Sequence, residues 1–262
     1  MDNFGGIALR SRFSYTIVVA LAMLMIVTVM VAAPVHAGTS GPISIDGDAD
    51  LRAQAALNGW PGDGTIRNPL VIADLEITDP AYGQGILIQG TSLHLIVRDC
   101  TVTGARTGGT GIGFGVGILD ASNITVVGTT VQNSDYGLWV ELSDNVTLRQ
   151  NVVHSLDYSP IYLQTSADCA VVDNNCTFDS SDGNSIVLEE TDRTMVRGNT
   201  IVSGCSGITL YGSEHNLVSG NHITVTGAGG DGIKLMEGSV KNTITGNDVD
   251  GAYYGIGTSS YE

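Results

Sequence analysis

From residue 85 onward the chain repeats itself about every 22–25 residues, and this period constrains the fold more than any single motif does. A phrase of the type Gly-Ile-x-Leu recurs along it, at residues 85–88, 115–118, 137–140, 160–163, 185–188, 207–210, 232–235 and 255–258. A fixed period of this length predicts a stack of repeats, in which each unit buries its apolar face only against its neighbours.

Apolar and polar residues alternate inside each phrase, as at Ile208 and Leu210, which is the periodicity of a β-strand. After residue 85 no apolar pattern of period 3.6 is long enough for a helix, which argues against leucine-rich, ankyrin and tetratricopeptide repeats. Gly and Asn separate the strands, and both tolerate the positive-φ conformations of tight turns. We therefore predict an all-β fold, a parallel β-helix of about eight coils over residues 69–262.

A second phrase, clearest as VRGNTI at residues 196–201, also recurs in most coils. Aligning the coils on it places five asparagines in one column, Asn151, Asn174, Asn199, Asn221 and Asn247. We predict that their side-chain amides hydrogen-bond from coil to coil at a tight turn. The columns on either side are apolar and are predicted to form the core.

The N-terminus is predicted to direct export. Arg10 and Arg12 precede an apolar run from about Ile17 to Ala33, and the small residues before Gly38 fit a cleavage site. We predict that residues 1–37 are a signal peptide, although the run is also long enough for an uncleaved membrane anchor. Without these residues, which carry one acid and two bases, the formal charge is −17, against −16 for the whole chain.

Residues 38–68 are predicted to cap the open end of the coils. Asp48 or Asp50 is placed to cap a short helix that ends at Gly59, and the first strand is predicted near Leu70. The acidic run at residues 46–50 also resembles the start of a calcium loop. The Gly and Glu that such a loop needs are replaced by Leu51 and Leu57, so we predict no cofactor and keep calcium as the alternative.

Acidic residues collect just before several coil starts, at Asp135, Asp157, Asp182 and Asp231. Paired carboxylates can hydrolyse a glycosidic bond or hold calcium against an acidic sugar. Nearby aromatic rings suited to stacking on sugars are those of Tyr136, Tyr158 and Tyr254. Solvated turn aspartates are the alternative interpretation of this pattern.

The sequence offers no convergent set of soft-metal ligands, so no metal site is predicted. The four cysteines, Cys100, Cys169, Cys176 and Cys205, contain no Cys-x-x-Cys pair, and both disulfides and buried free thiols remain open. Three sequons begin at Asn123, Asn145 and Asn175. They predict glycosylation in a host that glycosylates exported proteins, or are simply turn residues.

The two recurring phrases, at their spacing of 22–25 residues, resemble the right-handed parallel β-helix repeat, and most closely the NosD-type periplasmic copper-protein domain of exported prokaryotic surface proteins. The resemblance covers residues 43–262 and implies a right-handed parallel β-helix. It implies no activity, because the superfamily contains pectate lyases, polygalacturonases, epimerases and adhesins. The polygalacturonase and alginate-epimerase motifs are absent, apart from a weak likeness at residues 230–233.

We therefore expect an exported, non-catalytic protein of the cell surface that binds carbohydrate or acts as an envelope scaffold. Its predicted partners are polysaccharides or envelope components and not nucleic acid, with the membrane contacted only through the N-terminal segment. The alternative is a polysaccharide lyase, hydrolase or epimerase that uses the four aspartates. The negative charge disfavours uronate polymers unless calcium bridges them. We also expect the last coil to continue in a longer chain or to self-associate, since an uncovered sheet edge recruits other strands.

Overall fold

A computed structural model describes residues 40–108 and 111–259 of the chain, and it shows a parallel β-helix built from three sheets. Each coil contributes one strand to each sheet, and every strand pairs in parallel with its equivalents in the coils before and after it. The predicted all-β solenoid of about eight coils is confirmed.

The strands follow the chain in groups of three. The first sheet contains β1 (Ile43–Asp46), β4 (Gln84–Gln89), β7 (Phe114–Leu119), β10 (Tyr136–Glu141), β13 (Ile161–Gln164), β16 (Asn184–Glu189), β19 (Ser206–Tyr211), β22 (Asp231–Met236) and β25 (Tyr254–Ser259). The second contains β2 (Leu70–Ala73), β5 (Leu95–Arg98), β8 (Ile124–Val127), β11 (Thr147–Arg149), β14 (Ala170–Val172), β17 (Met195–Arg197), β20 (Leu217–Ser219) and β23 (Thr243–Thr245). The third contains β3 (Glu76–Thr78), β6 (Thr101–Thr103), β9 (Thr130–Ser134), β12 (Val152–Ser155), β15 (Asn175–Phe178), β18 (Thr200–Ser203), β21 (His222–Val225) and β24 (Asp248–Asp250).

In the coils before the last one, the two apolar positions of the Gly-Ile-x-Leu phrase point into the core. Leu138, Ile161, Ile186 and Ile208 are direct neighbours in the first sheet, and each is at most 1% exposed. The residue between the two apolar positions points outward. Its column therefore decides what the outer face of this sheet presents to solvent.

The glycine that opens the phrase is required by packing. A Cβ at this position would lie 2.1–2.5 Å from a side-chain methyl of the same coil's strand in the third sheet. The pairs are Gly85 with Val102, Gly115 with Val131, Gly137 with Val153, Gly207 with Ile223, and Gly232 with Val249. Glycine recurs at this position because the first and third sheets approach each other too closely there to leave room for a Cβ.

The predicted asparagine ladder is present. The Asn174 Nδ2 donates to Asn199 Oδ1 at 3.0 Å, and Asn199 Nδ2 donates in turn to Asn221 Oδ1 at 2.9 Å. Each Oδ1 also accepts the backbone N–H of the preceding asparagine, at 2.9 Å for Asn174. Each amide further donates to a backbone carbonyl of the previous coil, at 2.9 Å from Asn199 to Val171. These amides are buried, so every rung links two coils inside the protein.

The N-terminal helix α1 (Gly47–Asn58) packs Leu51 and Ala55 into the core and ends at Gly59, which has a left-handed conformation (φ 69°) as expected. Of the two residues predicted to cap this helix, Asp48 does not do so, whereas the Asp50 side chain bonds to the N-cap residue Asp46. The helix begins after Asp46, and the backbone N–H of Asp46 donates to Asp50 Oδ2 at 2.9 Å.

Asp48 instead joins the helix to the first coil. Its Oδ1 accepts hydrogen bonds from Thr91 Oγ1 at 2.7 Å and from the Ser92 N–H at 2.9 Å, and these bonds hold the pKa of Asp48 below its usual value. The sequence analysis also missed β1, which precedes α1 and pairs with β4. Among the described residues the first strand is therefore β1 and not the strand near Leu70. A single 3₁₀ turn at Ala81–Gly83 precedes β4.

The last described coil carries Ile256, which is 56% exposed. Continuation of this coil or association through it remains a prediction. Residues 1–37, the predicted signal peptide or anchor, lie outside the described residues. Among the residues that are described, no helix combines the length and the apolar content needed to cross a bilayer.

Replacing Asn199 by Ala should lower the free energy of unfolding by about 3 kcal/mol, because it removes four buried hydrogen bonds and leaves their partners unsatisfied. Urea unfolding followed by circular dichroism measures this change. Asn175→Ala is the matched control, since Asn175 is exposed on β15 and should change stability by less than about 0.5 kcal/mol. Equal losses in the two variants would contradict a stabilising ladder.

Replacing Gly115 by Ala should destabilise the fold by about 2 kcal/mol, because the new Cβ meets both methyl groups of Val131 at 2.3 and 2.7 Å. In a Val131→Ala background the same substitution should cost less, and a double-mutant cycle measures this coupling. Gly255→Ala changes the same column where nothing lies within 4 Å, and it should be close to neutral. Additive effects at Gly115 and Val131 would rule out the packing explanation.

Candidate functional site

A groove of about 380 Å³ lies on the outer face of the first sheet, across its fourth to eighth strands in sheet order. Its floor is formed by the outward column of the repeat, where Tyr162, Val187 and Thr209 are direct neighbours in β13, β16 and β19. The remaining lining residues are Tyr136, Asp157, Tyr158, Ser159, Asp182, Gly183, Asn184, Glu189, Tyr211 and Met236.

Aromatic rings from successive coils stack at one end of this groove. The ring of Tyr136 lies 4.7 Å from that of Tyr158 with an angle of 10° between the planes, and 5.8 Å from that of Trp139 at 21°. Tyr162 contacts Tyr136 at 5.4 Å with its ring tilted by 48°. Tyr158 is 49% exposed, whereas Trp139 is 9% exposed. The stack therefore has a buried base and an open upper ring.

Two tyrosine hydroxyls in the lining hold carboxylates. Tyr162 donates to Glu189 Oε2, and Tyr211 donates to Glu237 Oε2. Burial, followed by the hydrogen bond to Glu189, raises the pKa of Tyr162 above its usual value. The phenol therefore remains protonated and keeps Glu189 beside the floor of the groove.

Arg106 connects the loop before β7 to two of the predicted aspartates. Its Nη2 lies 2.6 Å from Asp157 Oδ2, and its Nε lies 3.4 Å from Asp135 Oδ1. Asp135 is 2% exposed and also accepts hydrogen bonds from the N–H and the Oγ1 of Thr107, at 2.9 and 3.0 Å. The Asp135 carboxylate is thus enclosed by donors of the loop, while Asp157 stands at the edge of the groove.

The structure brings together four of the seven predicted catalytic and sugar-binding residues. Asp157, Asp182, Tyr136 and Tyr158 all line the groove, and Asp135 lies next to it behind Arg106. Asp231 and Tyr254 are paired with each other in β22 and β25. Tyr254 is five strands from Tyr136, about 24 Å at the usual strand spacing, and so belongs to a different part of the surface.

Sequence analysis missed several lining residues of the groove, among them Tyr162, Glu189, Thr209 and Tyr211. The signal was available, because Tyr162 and Thr209 occupy the variable position of the Gly-Ile-x-Leu phrase and Glu189 and Tyr211 lie two residues later. Reading these outward columns from coil to coil would have found the groove. Arg106 lies in an irregular loop, where no periodicity marks it.

The three sequon asparagines lie on turns or strand ends. Asn145 Nδ2 donates to Asn123 Oδ1 at 2.8 Å, and Asn123 Nδ2 donates to the Ser92 carbonyl at 2.9 Å. Asn145 and Asn175 are exposed. These hydrogen bonds account for the first two asparagines as turn residues, and glycosylation remains a prediction.

Comparison with family models gives one match, to the periplasmic copper-binding protein (NosD) family, over residues 59–256. The match covers about three quarters of the chain. The chain belongs to the NosD family. This confirms the resemblance that its repeat phrases indicated, while a search of curated proteins gave no significant match.

The described side chains do not fit the copper centre that the NosD description implies. Within residues 40–108 and 111–259, no three His, Cys, Asp or Glu side chains lie together in a way that could hold a metal ion. Burial raises the pKa of the Cys100 and Cys169 thiols to about 11 and that of Cys176 to about 12, so these thiols stay protonated. All four cysteines are free thiols in this fold.

The histidines nearest to carboxylates form separate pairs on the third sheet. His154 Nε2 lies 3.0 Å from Asp179 Oδ2, and His222 Nδ1 lies 3.0 Å from Asp248 Oδ2. Each pair offers two donor groups, which is fewer than a protein copper site normally uses. We therefore assign no step of the function to copper.

Similar solved structures include two mutants of the periplasmic alginate epimerase AlgG. A double mutant is 18% identical with a TM-score of 0.62, and the match covers 73% of this chain and 48% of that one. A single-site mutant is 16% identical with a TM-score of 0.53, covering 72% and 59%. The present chain therefore spans about half the length of these epimerases, and the likeness establishes a shared β-helix fold.

Replacing Arg106 by Gln should lower the free energy of unfolding by about 1–2 kcal/mol, because the buried Asp135 carboxylate loses a charged donor. Arg193→Gln is the matched control. It breaks a two-point ion pair with Asp168 in which both side chains are more than half exposed, and solvent screens such pairs. Thermal unfolding of both variants compares them, and an equal or larger loss for Arg193→Gln would contradict the role given to Arg106.

Proposed function

We propose that this chain is an exported β-helix protein that binds carbohydrate, without transforming it, in the groove on its first sheet. The observation that carries the proposal is the stack of Tyr136 and Tyr158 at the end of that groove. Sugar rings present apolar C–H faces that pack on aromatic side chains, while their hydroxyls need polar partners around the rim. The open face of Tyr158 and the acidic and amide groups of the lining supply both.

Thr209 gives independent support for a ligand in this groove. It is 3% exposed, it lines the floor, and its Oγ1 has no hydrogen-bond partner among the described residues. An unsatisfied buried hydroxyl costs free energy, and a ligand hydroxyl reaching the floor would satisfy it.

The contacts made by the aspartates that were predicted as catalytic candidates favour binding over catalysis. A hydrolase needs two carboxyl groups that face each other across the bond to be broken. Here Asp135 is enclosed by Thr107 and Arg106, Asp157 is paired with Arg106, and Asp231 lies on a distant strand. These contacts leave Asp182 and Glu189 as the groove carboxylates that no cation of the described chain neutralises.

Export rests on two observations of different kinds. The NosD family is described as periplasmic, and residues 1–37 have the charge and apolar pattern of a targeting signal. A location at the cell surface or in the periplasm exposes the groove to envelope or extracellular polysaccharides. A scaffold role in the envelope is compatible with the same binding surface.

Replacing Tyr158 by Ala should weaken oligosaccharide binding about tenfold, because it removes the exposed ring of the stack. Isothermal titration calorimetry with a panel of neutral, amino-sugar and uronate hexasaccharides measures this loss on the best ligand of the panel. Tyr253→Ala is the control, because Tyr253 is 68% exposed at the other end of the coils. Failure of the whole panel to bind, or an equal loss in both variants, would refute the proposal.

The enzymatic alternative is tested on the same panel by measuring reducing ends and unsaturated products, with and without calcium. We expect no turnover above that of a heat-denatured sample. Turnover that disappears in Asp157→Ala or Asp231→Ala would replace binding by catalysis as the function of this protein.

A further inference from the structure

The charge of the groove indicates which carbohydrates it takes. Its lining contains the carboxylates of Asp157, Asp182 and Glu189, and none of its described lining residues is a lysine or arginine. Arg106 stands at the edge, but it is shared between Asp135 and Asp157 and so adds no free positive charge. Lys234 lies one strand beyond Thr209 and does not line the groove.

The two carboxylates of the groove that form no ion pair within the described residues, those of Glu189 and Asp182, differ in how firmly the surrounding structure fixes them. Glu189 is fixed by the hydroxyl of Tyr162 on the floor, whereas Asp182 is exposed in the turn before β16. A pre-oriented carboxylate binds a cation without the entropic cost of ordering a free side chain. The same carboxylates repel a uronate, which would bring its own negative charge into the groove at short range.

The aromatic lining strengthens this preference. Tyr136, Tyr158, Tyr162 and Tyr211 surround the same space, and a positive charge is attracted to the face of an aromatic ring. An ammonium group in the groove would meet ring faces and carboxylates together, whereas a carboxylate would be offered only neutral donors of the lining, such as Ser159 and Asn184.

We infer, resting on the proposed function, that the groove selects polysaccharides containing positively charged amino sugars, accepts neutral sugars less well, and rejects uronates. The ammonium group pairs with Glu189 or Asp182, the sugar ring packs on Tyr158, and a ring hydroxyl reaches Thr209 Oγ1. The epimerases that share the fold are named for a different polysaccharide, alginate.

Three hexasaccharides of equal length test the inference in the absence of calcium: deacetylated chitosan hexamer, cellulose hexamer and galacturonate hexamer. Calorimetry is carried out on the purified protein at a pH below the pKa of the glucosamine amine. The chitosan hexamer should bind at least about tenfold more tightly than the galacturonate hexamer, with the cellulose hexamer between them, and added salt should narrow the difference.

Two variants separate local charge from the charge of the whole protein. Glu189→Gln and, independently, Asp182→Asn should each reduce the ratio of chitosan to galacturonate affinity severalfold. Asp250→Asn, an exposed substitution on the third sheet with the same change in net charge, should leave the ratio unchanged. An equal effect of Asp250→Asn would overturn the assignment to the groove.

The outcomes distinguish this inference from the function on which it rests. Galacturonate binding as tight as chitosan binding, and lost in Tyr158→Ala, would overturn the charge selectivity and leave carbohydrate binding in place. Absence of binding by all three hexamers would overturn both.

Discussion

The hydrogen bonds that join each coil to the next determine the rest of this structure. Strand pairing alone would hold the coils together, but it leaves the backbone of the turns unpaired. The asparagine ladder supplies the missing partners, because each buried amide donates to the preceding coil and accepts from it at the same turn. A serine column repeats the device at another turn, where Ser143 N–H donates to Ser166 Oγ at 3.1 Å. With the turns fixed, the register of all three sheets is fixed too.

Because the register is fixed, equivalent residues of successive repeats lie side by side on the surface of the protein. Residues 22–25 apart in the chain become neighbours one strand apart, so Tyr136 and Tyr158 stack although no short motif contains both. The same rule aligns Tyr162, Val187 and Thr209 in the floor. In the coils that form the groove, the inward positions keep the apolar residues of the repeat. The outward positions of the same coils carry aromatic and acidic residues. Such a site can arise by substitution of outward residues alone, without disturbing the packing of the solenoid.

The sequence predicted the solenoid well because its requirements recur in every coil. Most coils need a glycine, a pair of inward apolar residues and an asparagine at the same positions. These residues therefore recur at a nearly fixed interval in the sequence. The first strand, β1, was missed because it is separated from its partner β4 by the capping helix and repeats nothing around it. The role of Asp48 was missed for a related reason, since its partners Thr91 and Ser92 lie about 43 residues away in a turn that no cap pattern includes.

The candidate site was only partly predictable. Turn aspartates and tyrosines were found as a group, but the sequence did not separate Asp135, which the loop encloses, from Asp182, which faces the groove. That difference depends on Arg106 and Thr107, which lie in the coil between β4 and β7, where paired residues are 30 positions apart instead of 22–25. A shared fold does not by itself transfer function. The epimerases and this chain share a β-helix backbone, while the outward side chains determine what each face can bind.

The most direct test of the proposed binding site is a crystal structure determined from crystals of the protein soaked in chitosan hexamer. The account predicts a sugar ring packed on the exposed face of Tyr158, an ammonium group beside Glu189 or Asp182, and a hydroxyl hydrogen-bonded to Thr209 Oγ1. A hexamer bound on the second or third sheet, with the groove of the first sheet empty, would contradict it.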